Sequence, residues 1–437
     1  MREREVKLIL AEGAQLPPPA TLMGDLGAWS VDEIEQDAMY FDTSDLAMTR
    51  AGASLRYRSD AGWTVKIPSS RNGATFERDE YAFAGASGQP PVAATDLVHA
   101  LTRSRTLVNV ANLHTKRRRI RLHDAHGRAI IELDDDEVEA AARGRAPVRF
   151  HEVEIETIAE ADPDLIDTLV DTLVDRLRRV GADTTDAMPK VARALGEEAV
   201  APPDVVTSER LTKSATIDQF VRVTLAKSVQ RLIEHDPIVR IGEDAEGVRH
   251  ARAATRRLRS DLRTLRPVLQ AKWSEPLRAE LRWLGEQLGR VRDADVLLEK
   301  LVVKAEGLAA DERAPANALI ERLRETRERA RDTLLDALRS ERYTALLDRL
   351  VEAARAPRVR DARGSEKAAK TVGKLARRQA KRRAKLVRRL PSVPSDAELH
   401  VVRKAAKQAR YALETIAPLA GSAGSGEIRA GEGERTK

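Results

Sequence analysis

The sequence predicts a two-domain α+β protein, with strands in its first two hundred residues and helices in the rest. Three observations carry that reading. Up to about residue 200, short segments alternate charged and apolar side chains with the period of two of an extended strand. From Ser214 onward the apolar period is that of an amphipathic helix, and no strand-like alternation returns. Between them, Ala201-Pro202-Pro203-Asp204 ends the first domain. The expected boundaries are 1–200 for the strand domain, 201–213 for a linker, 214–419 for the helical domain and 420–437 for a flexible tail, which opens with Gly421-Ser422-Ala423-Gly424-Ser425-Gly426.

With 437 residues, 42% of them hydrophobic, the chain can bury a core in each domain. A formal charge of +7 favours a polyanionic partner, whether polyphosphate, nucleic acid or anionic lipid. Aromatics are only 3%, which disfavours a binder that grips single strands by stacking bases. The absence of cysteine excludes disulfides, thiolate metal sites and cysteine nucleophiles, so any metal must sit on oxygen or imidazole. Met1 to Lys7 is charged, and no apolar run approaches the roughly 20 residues that span a bilayer. The expectation is a cytoplasmic protein without a membrane partner.

Glu3, Glu5 and Lys7 alternate with Arg4 and Val6, so two carboxylates and an ammonium share one strand face. Gly13 to Asp37, with Pro17, Pro18, Pro19 and Gly24, reads as a loop with one helical turn. Tyr40 to Thr43 reads as a short strand. Leu55–Arg58 and Trp63–Ile67 form a hairpin across Asp60-Ala61-Gly62, with Arg56 beside Arg58 and Lys66 beside Thr64. Thr75 to Phe83 alternates weakly, and Asp96 to Ser104 reads as helix. His114 to Leu122 puts Arg117, Arg119 and Arg121 on one face, and Ile130 to Asp134 follows the turn at His126-Gly127. His151 to Glu156 sets three glutamates opposite His151, Val153 and Ile155. Asp164 to Val180 is a helix expected to bury Leu165, Leu169, Leu173 and Leu177. A solvated charged face accounts for any one strand. For the set, closure into a barrel would converge these faces on a cavity, where glutamates hold a hard divalent cation and Lys and Arg grip phosphates.

Glu3-x-Glu5-x-Lys7, Tyr40-Phe41-Asp42-Thr43, Leu55-Arg56-Tyr57-Arg58, Lys66, the block Lys116 to Arg119, Glu132, Glu152-x-Glu154 and Lys190 in Pro-Lys-Val-Ala-Arg-Ala-Leu follow in this order. Together they resemble the CYTH, or triphosphate tunnel metalloenzyme, superfamily. The resemblance implies an eight-stranded antiparallel tunnel that binds a triphosphate with magnesium or manganese. It implies Glu3, Glu5, Glu152 and Glu154 as metal ligands, and Glu3, Glu5 and Lys7 as the catalytic set. Lys7, Arg56, Arg58, Lys66, Arg117, Arg119 and Lys190 would be the phosphate contacts, with Arg117 and Arg119 chosen over Arg118 by strand parity alone. The implied activity is metal-dependent hydrolysis of an inorganic or organic triphosphate.

In the helical half, Ser214 to His235 and Asp244 to Leu269 are the first helices. Within the second, Arg252, Arg256, Arg259, Arg263 and Arg266 fall at offsets of four, three, four and three, making one stripe. Val248, Ala251, Thr255, Leu258, Leu262, Leu265 and Leu269 make an apolar stripe. Ser274 to Val302 and helices from Asp311 to Ala354 follow. Gly364 to Leu390 holds ten Lys or Arg between Lys370 and Arg389 with no acid among them. Leu399 to Ile416 repeats the two-stripe build, with His400, Arg403, Lys407 and Arg410 on one side. Like charges one turn apart repel, so two such ladders point to a ligand of repeating negative charge. The bland alternative is a pair of solvated basic faces.

The line from Arg249 to Arg259, its echo from His400 to Tyr411, and Arg292-Asp293-Ala294-Asp295 resemble the CHAD domain over Ser214 to Leu419. That resemblance implies a helical bundle of two four-helix repeats, the second here short of its closing helices. It further implies binding of inorganic polyphosphate by Arg249, Arg252, Arg256, Arg259, Arg263, His400, Arg403, Lys407 and Arg410, and association with polyphosphate granules. Arg249 occupies the place usual for the family's first histidine, and His250 comes one residue later. A non-catalytic granule scaffold and a nucleic-acid binder are the competing readings.

Overall fold

The structure, a computed structural model, describes residues 5–10, 15–72, 75–158, 163–183, 188–212, 214–361 and 363–420. The chain divides into two compact units, Met1–Pro203 and Asp204–Lys437.

In the first unit, eight strands form one antiparallel sheet: β1 (Glu5–Leu10), β2 (Ala28–Thr43), β3 (Ser54–Arg58), β4 (Gly62–Asn72), β5 (Thr75–Phe83), β6 (Leu107–His123), β7 (Ala129–Ala142) and β8 (Val148–Thr157). Their order across the sheet is β1-β8-β7-β6-β2-β3-β4-β5. The short helices α1 (Pro19–Met23), α2 (Ala47–Arg50), α3 (Val92–Leu97) and α4 (His99–Thr102) lie in the connections, and α5 (Pro163–Arg179) and α6 (Lys190–Leu195) follow β8. Strand alternation gives the sheet two faces. One carries Leu8, Ile120, Leu133, Val153 and Ile155 and packs under α5. The other carries Lys7, Glu154, Asp134 and Arg119 side by side in register.

This charged face is concave. Glu154 on β8 and Arg56 on β3 are four strands apart, about 19 Å in a flat sheet, yet the Glu154 charge acts on Arg56, where burial opposes the charged guanidinium and Tyr40, Glu80 and Glu154 together raise its pKa. At one end the face turns apolar, through Ala38, Tyr40, Leu113, Val138 and Ala140, and there Val191, Ala192 and Leu195 of α6 close it.

Two expectations are corrected. The loop read over Gly13 to Asp37 is β2 from Ala28 onward. Its first eight residues are mostly exposed, so no apolar alternation betrays it. Pairing with β6 holds it, aided by an Asp32–Arg121 bond at 2.6 Å. On α5, Leu165 is 49% exposed, and the buried stripe is Ile166, Leu169, Val170, Leu173 and Leu177.

Among the described residues, the regular elements of the second unit are helices: α7 (Ile217–Ile241), α8 (Ala245–Leu265), α9 (Ala271–Glu306), α10 (Ala310–Arg339), α11 (Glu341–Arg355), α12 (Ala368–Val387) and α13 (Asp396–Ala420). A capping box of Thr216 and Gln219 starts α7, and Gly242 in the left-handed region ends it. The apolar stripe of α8 is buried as its spacing requires. Helices α12 and α13 pair with each other, and α13 rests on α8.

Two buried polar knots tie these helices. Asp236 accepts from Tyr343 and from Arg240, both at 2.6 Å, and Arg240 also donates to the Leu338 carbonyl. Asp261 accepts from Ser228 on α7 and Thr415 on α13, and Arg257 reaches it at 3.1 Å. Burial pushes the Asp261 pKa up to about 6, against the opposing pull of Arg257. Replacing Asp236 with Ala strands the buried Arg240 guanidinium, so the unfolding free energy of the helical unit should fall by about 3–5 kcal/mol. Urea unfolding of the full chain measures this, and a loss below about 1 kcal/mol would show that Arg240 has other support.

Candidate functional site

The concave face of the strand unit is a lattice of alternating charge. Arg117 donates through Nε and one terminal nitrogen to Asp136 at 2.7 Å each, and also contacts Asp134 and Glu154. Arg119 holds Asp134 at 2.8 and 3.0 Å and Glu132 at 2.9 Å. Lys190, opening α6 after Pro189, reaches Asp136, Glu152 and Glu154 at 2.8 Å each. Lys7 bonds the second oxygen of Glu154. Toward the β3–β5 side, Lys66 and Arg56 share Glu80 at 2.7 and 3.6 Å, and Arg58 takes Asp60 at 2.8 Å.

Burial and neighbouring charge compete at each group. Burial alone would raise the Glu154 carboxyl, yet Lys190, Lys7 and Arg117 hold it well below the usual range. At Glu152 burial wins and pushes the pKa up, with Lys190 opposing and the Glu154 charge adding to it. Burial works against the charged Lys190, but Glu154, Glu152 and Asp136 hold its pKa well above normal.

Of the sequence-derived site residues, the structure brings Lys7, Arg117, Arg119, Lys190, Glu152 and Glu154 together, with Arg56, Arg58 and Lys66 on the same curled face. Glu3 and the side chain of Glu5 lie outside the described residues. Arg118 points to the opposite face, onto Asp135 at 2.7 Å. Asp134, Asp136 and Glu80 were not anticipated. The alternation Glu132-x-Asp134-x-Asp136 in β7 was the available signal.

A metal has a chemically suitable donor set here, since carboxylate oxygens are the ligands magnesium and manganese take. Among the described residues, no three acids or histidines converge at metal-ligand spacing. The acids converge instead on Lys190, Arg117 and Arg119.

In the helical unit the cations are arranged differently. Arg249 is bonded to Glu246, and Arg252 pairs with Asp293 at 2.9 Å. These two, with Arg256 and Arg292, line a cavity of about 280 Å³. Further along α8, Arg259 and Arg263 meet Arg278 and Arg282 of α9, and Arg263 also meets Arg382 of α12. Burial first, then these like charges, push both guanidiniums below their ordinary pKa. A cavity of about 730 Å³ lies beside them, lined by Arg263, Arg360, Arg378, Lys381, Arg382 and Lys385 among others.

His400, Arg403, Lys407 and Arg410 are exposed on the side of α13 away from buried Ala405, Ala409 and Ala412, so the second ladder is not gathered with the first. The acid-free cationic helix α12 takes that place. His250 stacks on His235 at 4.8 Å, and burial, His250 and Arg231 push His235 down to about 4.

The CYTH domain family matches residues 1–192 and the CHAD domain family residues 223–430. An uncharacterised protein of Mycobacterium tuberculosis strain H37Rv is 31% identical over 398 residues, covering 86% of this chain and 74% of the relative. Among solved structures, PptA from Streptomyces chartreusis is 25% identical over 49% of this chain and 81% of its own, with a TM-score of 0.40. The CHAD domain from the plant Ricinus communis is 24% identical over 52% of this chain and 75% of its own, with a TM-score of 0.41. No described helix is long and apolar enough to cross a membrane.

The depressed carboxyl of Glu154 gives a stability term with a defined pH sense. It is fully present above the unfolded glutamate pKa of about 4.3 and is lost as pH falls through the lower folded value. Wild type should therefore exceed Glu154→Gln in strand-unit stability by a constant margin above about pH 5, shrinking below pH 4. Urea unfolding of both proteins across pH 3–7 measures it, and a margin that grows on acidification would reverse the assignment.

Proposed function

Because the chain belongs to the family that joins a CYTH domain to a CHAD domain, we propose that its helical unit binds inorganic polyphosphate and its strand unit hydrolyses a triphosphate with a divalent metal. The observation that carries the first part is the cluster of Arg259, Arg263, Arg278, Arg282 and Arg382, in which Arg259 and Arg278 are partly buried, the other three are exposed, and like charges outweigh the opposing pull of Glu286 on Arg259 and of Glu275 on Arg263. Among the described residues no acid stands within ion-pair reach of Arg259, Arg263, Arg282 or Arg382. Repulsion of that kind is relieved by a bound polyanion, and the adjoining cavity is open to one.

For the strand unit the support is chemical. Lys7, Arg56, Arg58, Lys66, Arg117, Arg119 and Lys190 form a curled array of donors, held in place by their carboxylate partners before a ligand arrives. They would bind the non-bridging oxygens of a triphosphate and stabilise charge on the leaving phosphate. Glu152 and Glu154, with Glu3 and Glu5, would hold magnesium or manganese, which when bound polarises a phosphoryl group and acidifies water. The substrate is an inorganic or organic triphosphate.

Three outcomes test these parts. The double variant Arg259→Ala, Arg263→Ala should weaken binding of long-chain polyphosphate by about 10- to 100-fold, the loss of two charge-assisted contacts. In competition at matched salt, polyphosphate should displace duplex DNA, and displacement in the other direction would favour nucleic acid as the partner. In the strand unit, Glu5→Gln should abolish phosphate release from tripolyphosphate in magnesium or manganese. Unchanged turnover would remove Glu5 from the metal set.

A further inference from the structure

The outer edge of β2 is open for more than half of the strand. Over Ala28–Asp37 it pairs with β6 on one side, whereas β3 pairs with it on the other only from Ala38 to Phe41. At the junction the Asp37 carbonyl accepts from the Ser59 N–H at 3.3 Å, so it faces the β3 side. Successive residues of a strand turn their backbone groups to opposite sides, and the pairing with β6 runs without irregularity from Ala28 to Tyr40. Trp29, Val31, Glu33 and Glu35 therefore aim their N–H and C=O groups outward as well. Among the described residues those groups have no backbone partner. Such a row is a template for another extended chain.

The side chains of these four residues share the face of the sheet opposite the proposed triphosphate contacts, and they fall into two pairs. Trp29 and Val31, 39% and 37% exposed, stand in register with Leu122 and Ile120 and carry the apolar floor beneath α5 out to the edge. Glu33 and Glu35 line a cavity of about 570 Å³ together with Lys116, Arg118, Asp135 and Glu137. There Arg118 is held by Asp135 at 2.7 and 3.0 Å, and Lys116 stands in register between Glu35 and Glu137. Arg117, which also borders the cavity, commits its guanidinium to Asp136 on the concave face. Four acids against two cations, or three with His151 protonated on Asp135, leave the cavity negative in a chain whose formal charge is +7. We propose that the β2 edge receives an extended basic segment of a partner protein as an added strand. Its backbone continues the ladder along Trp29 to Glu35, two apolar side chains cover Trp29 and Val31, and two lysines or arginines enter the cavity beside Glu33 and Glu35. A second copy of this chain fits poorly, because edge-to-edge pairing sets acids against acids or against Trp29 and Val31.

Fluorescence polarisation of a labelled peptide, Thr-Lys-Thr-Lys-Thr-Val-Thr-Val-Thr, against the full chain tests this. Its lysines and valines fall opposite the two glutamates and the two apolar residues in an antiparallel pairing. Saturable binding is expected, weakened about tenfold or more in the double variant Glu33→Lys, Glu35→Lys. The peptide with glutamate in place of both lysines should show the reverse preference, binding the double variant and not the wild type. N-methylation of the lysines and valines removes the donors that face β2 and should abolish binding to the unaltered protein. No binding of the lysine peptide, binding that survives N-methylation, or equal binding of both peptides to both proteins would overturn the proposal. A full-chain dimer in sedimentation velocity that the lysine peptide dissociates would assign the edge to a second copy instead.

Discussion

A carboxylate that is almost wholly out of water keeps its charge only where a cation stands within hydrogen-bond reach. Asp136, Glu152 and Asp134 are all less than a tenth exposed, and each is met by Arg117, Arg119 or Lys190. The register of β6, β7 and β8 follows this requirement, since a slip of one residue would put Arg118 where Arg117 lies and turn the acids of β7 into the apolar face. The same requirement fixes α6, whose first residue supplies the ammonium and whose apolar side fills the end of the concave face.

The two units handle charge in opposite ways. On the sheet, each cation that the resemblance assigns to phosphate binding already has an acid partner, so a ligand must exchange with existing bonds. On α8, Arg259 and Arg263 face Arg278 and Arg282, with Arg382 beside Arg263, and the buried stripe from Val248 to Leu265 must hold the helix in place against their repulsion. Local choices that cost stability concentrate where a protein binds something. The sheet's cations are each offset by a bonded carboxylate, whereas Glu286 and Glu275 only partly offset the repulsion at Arg259 and Arg263.

Much of this was legible in the residues. Strand parity placed Arg117 and Arg119 together and Arg118 apart, because no irregularity intervenes between Lys116 and Ile120. The stripe on α8 was equally readable from its spacing. The first half of β2 was not, since its residues are solvated on both faces and pairing with β6 is a long-range fact. Leu165 was misassigned because the leucines four apart on α5 drift around the helix, and Ile166 and Val170 complete the true stripe. The partner of the α8 ladder was also hidden. The periodic echo on α13 suggested it, but packing turns α13's cations outward and brings in α12, whose run of bases has less apparent order.

Hydrogen exchange on the full chain, with long-chain polyphosphate added in the presence of a chelator, tests the distinction between these sites most directly. Protection should rise on α8 and α9 around Arg259, Arg263 and Arg282, and on α12 around Arg382, while the concave face around Glu154 stays unchanged without metal. Protection confined to α13 between His400 and Arg410, or appearing on the sheet in chelator, would contradict it.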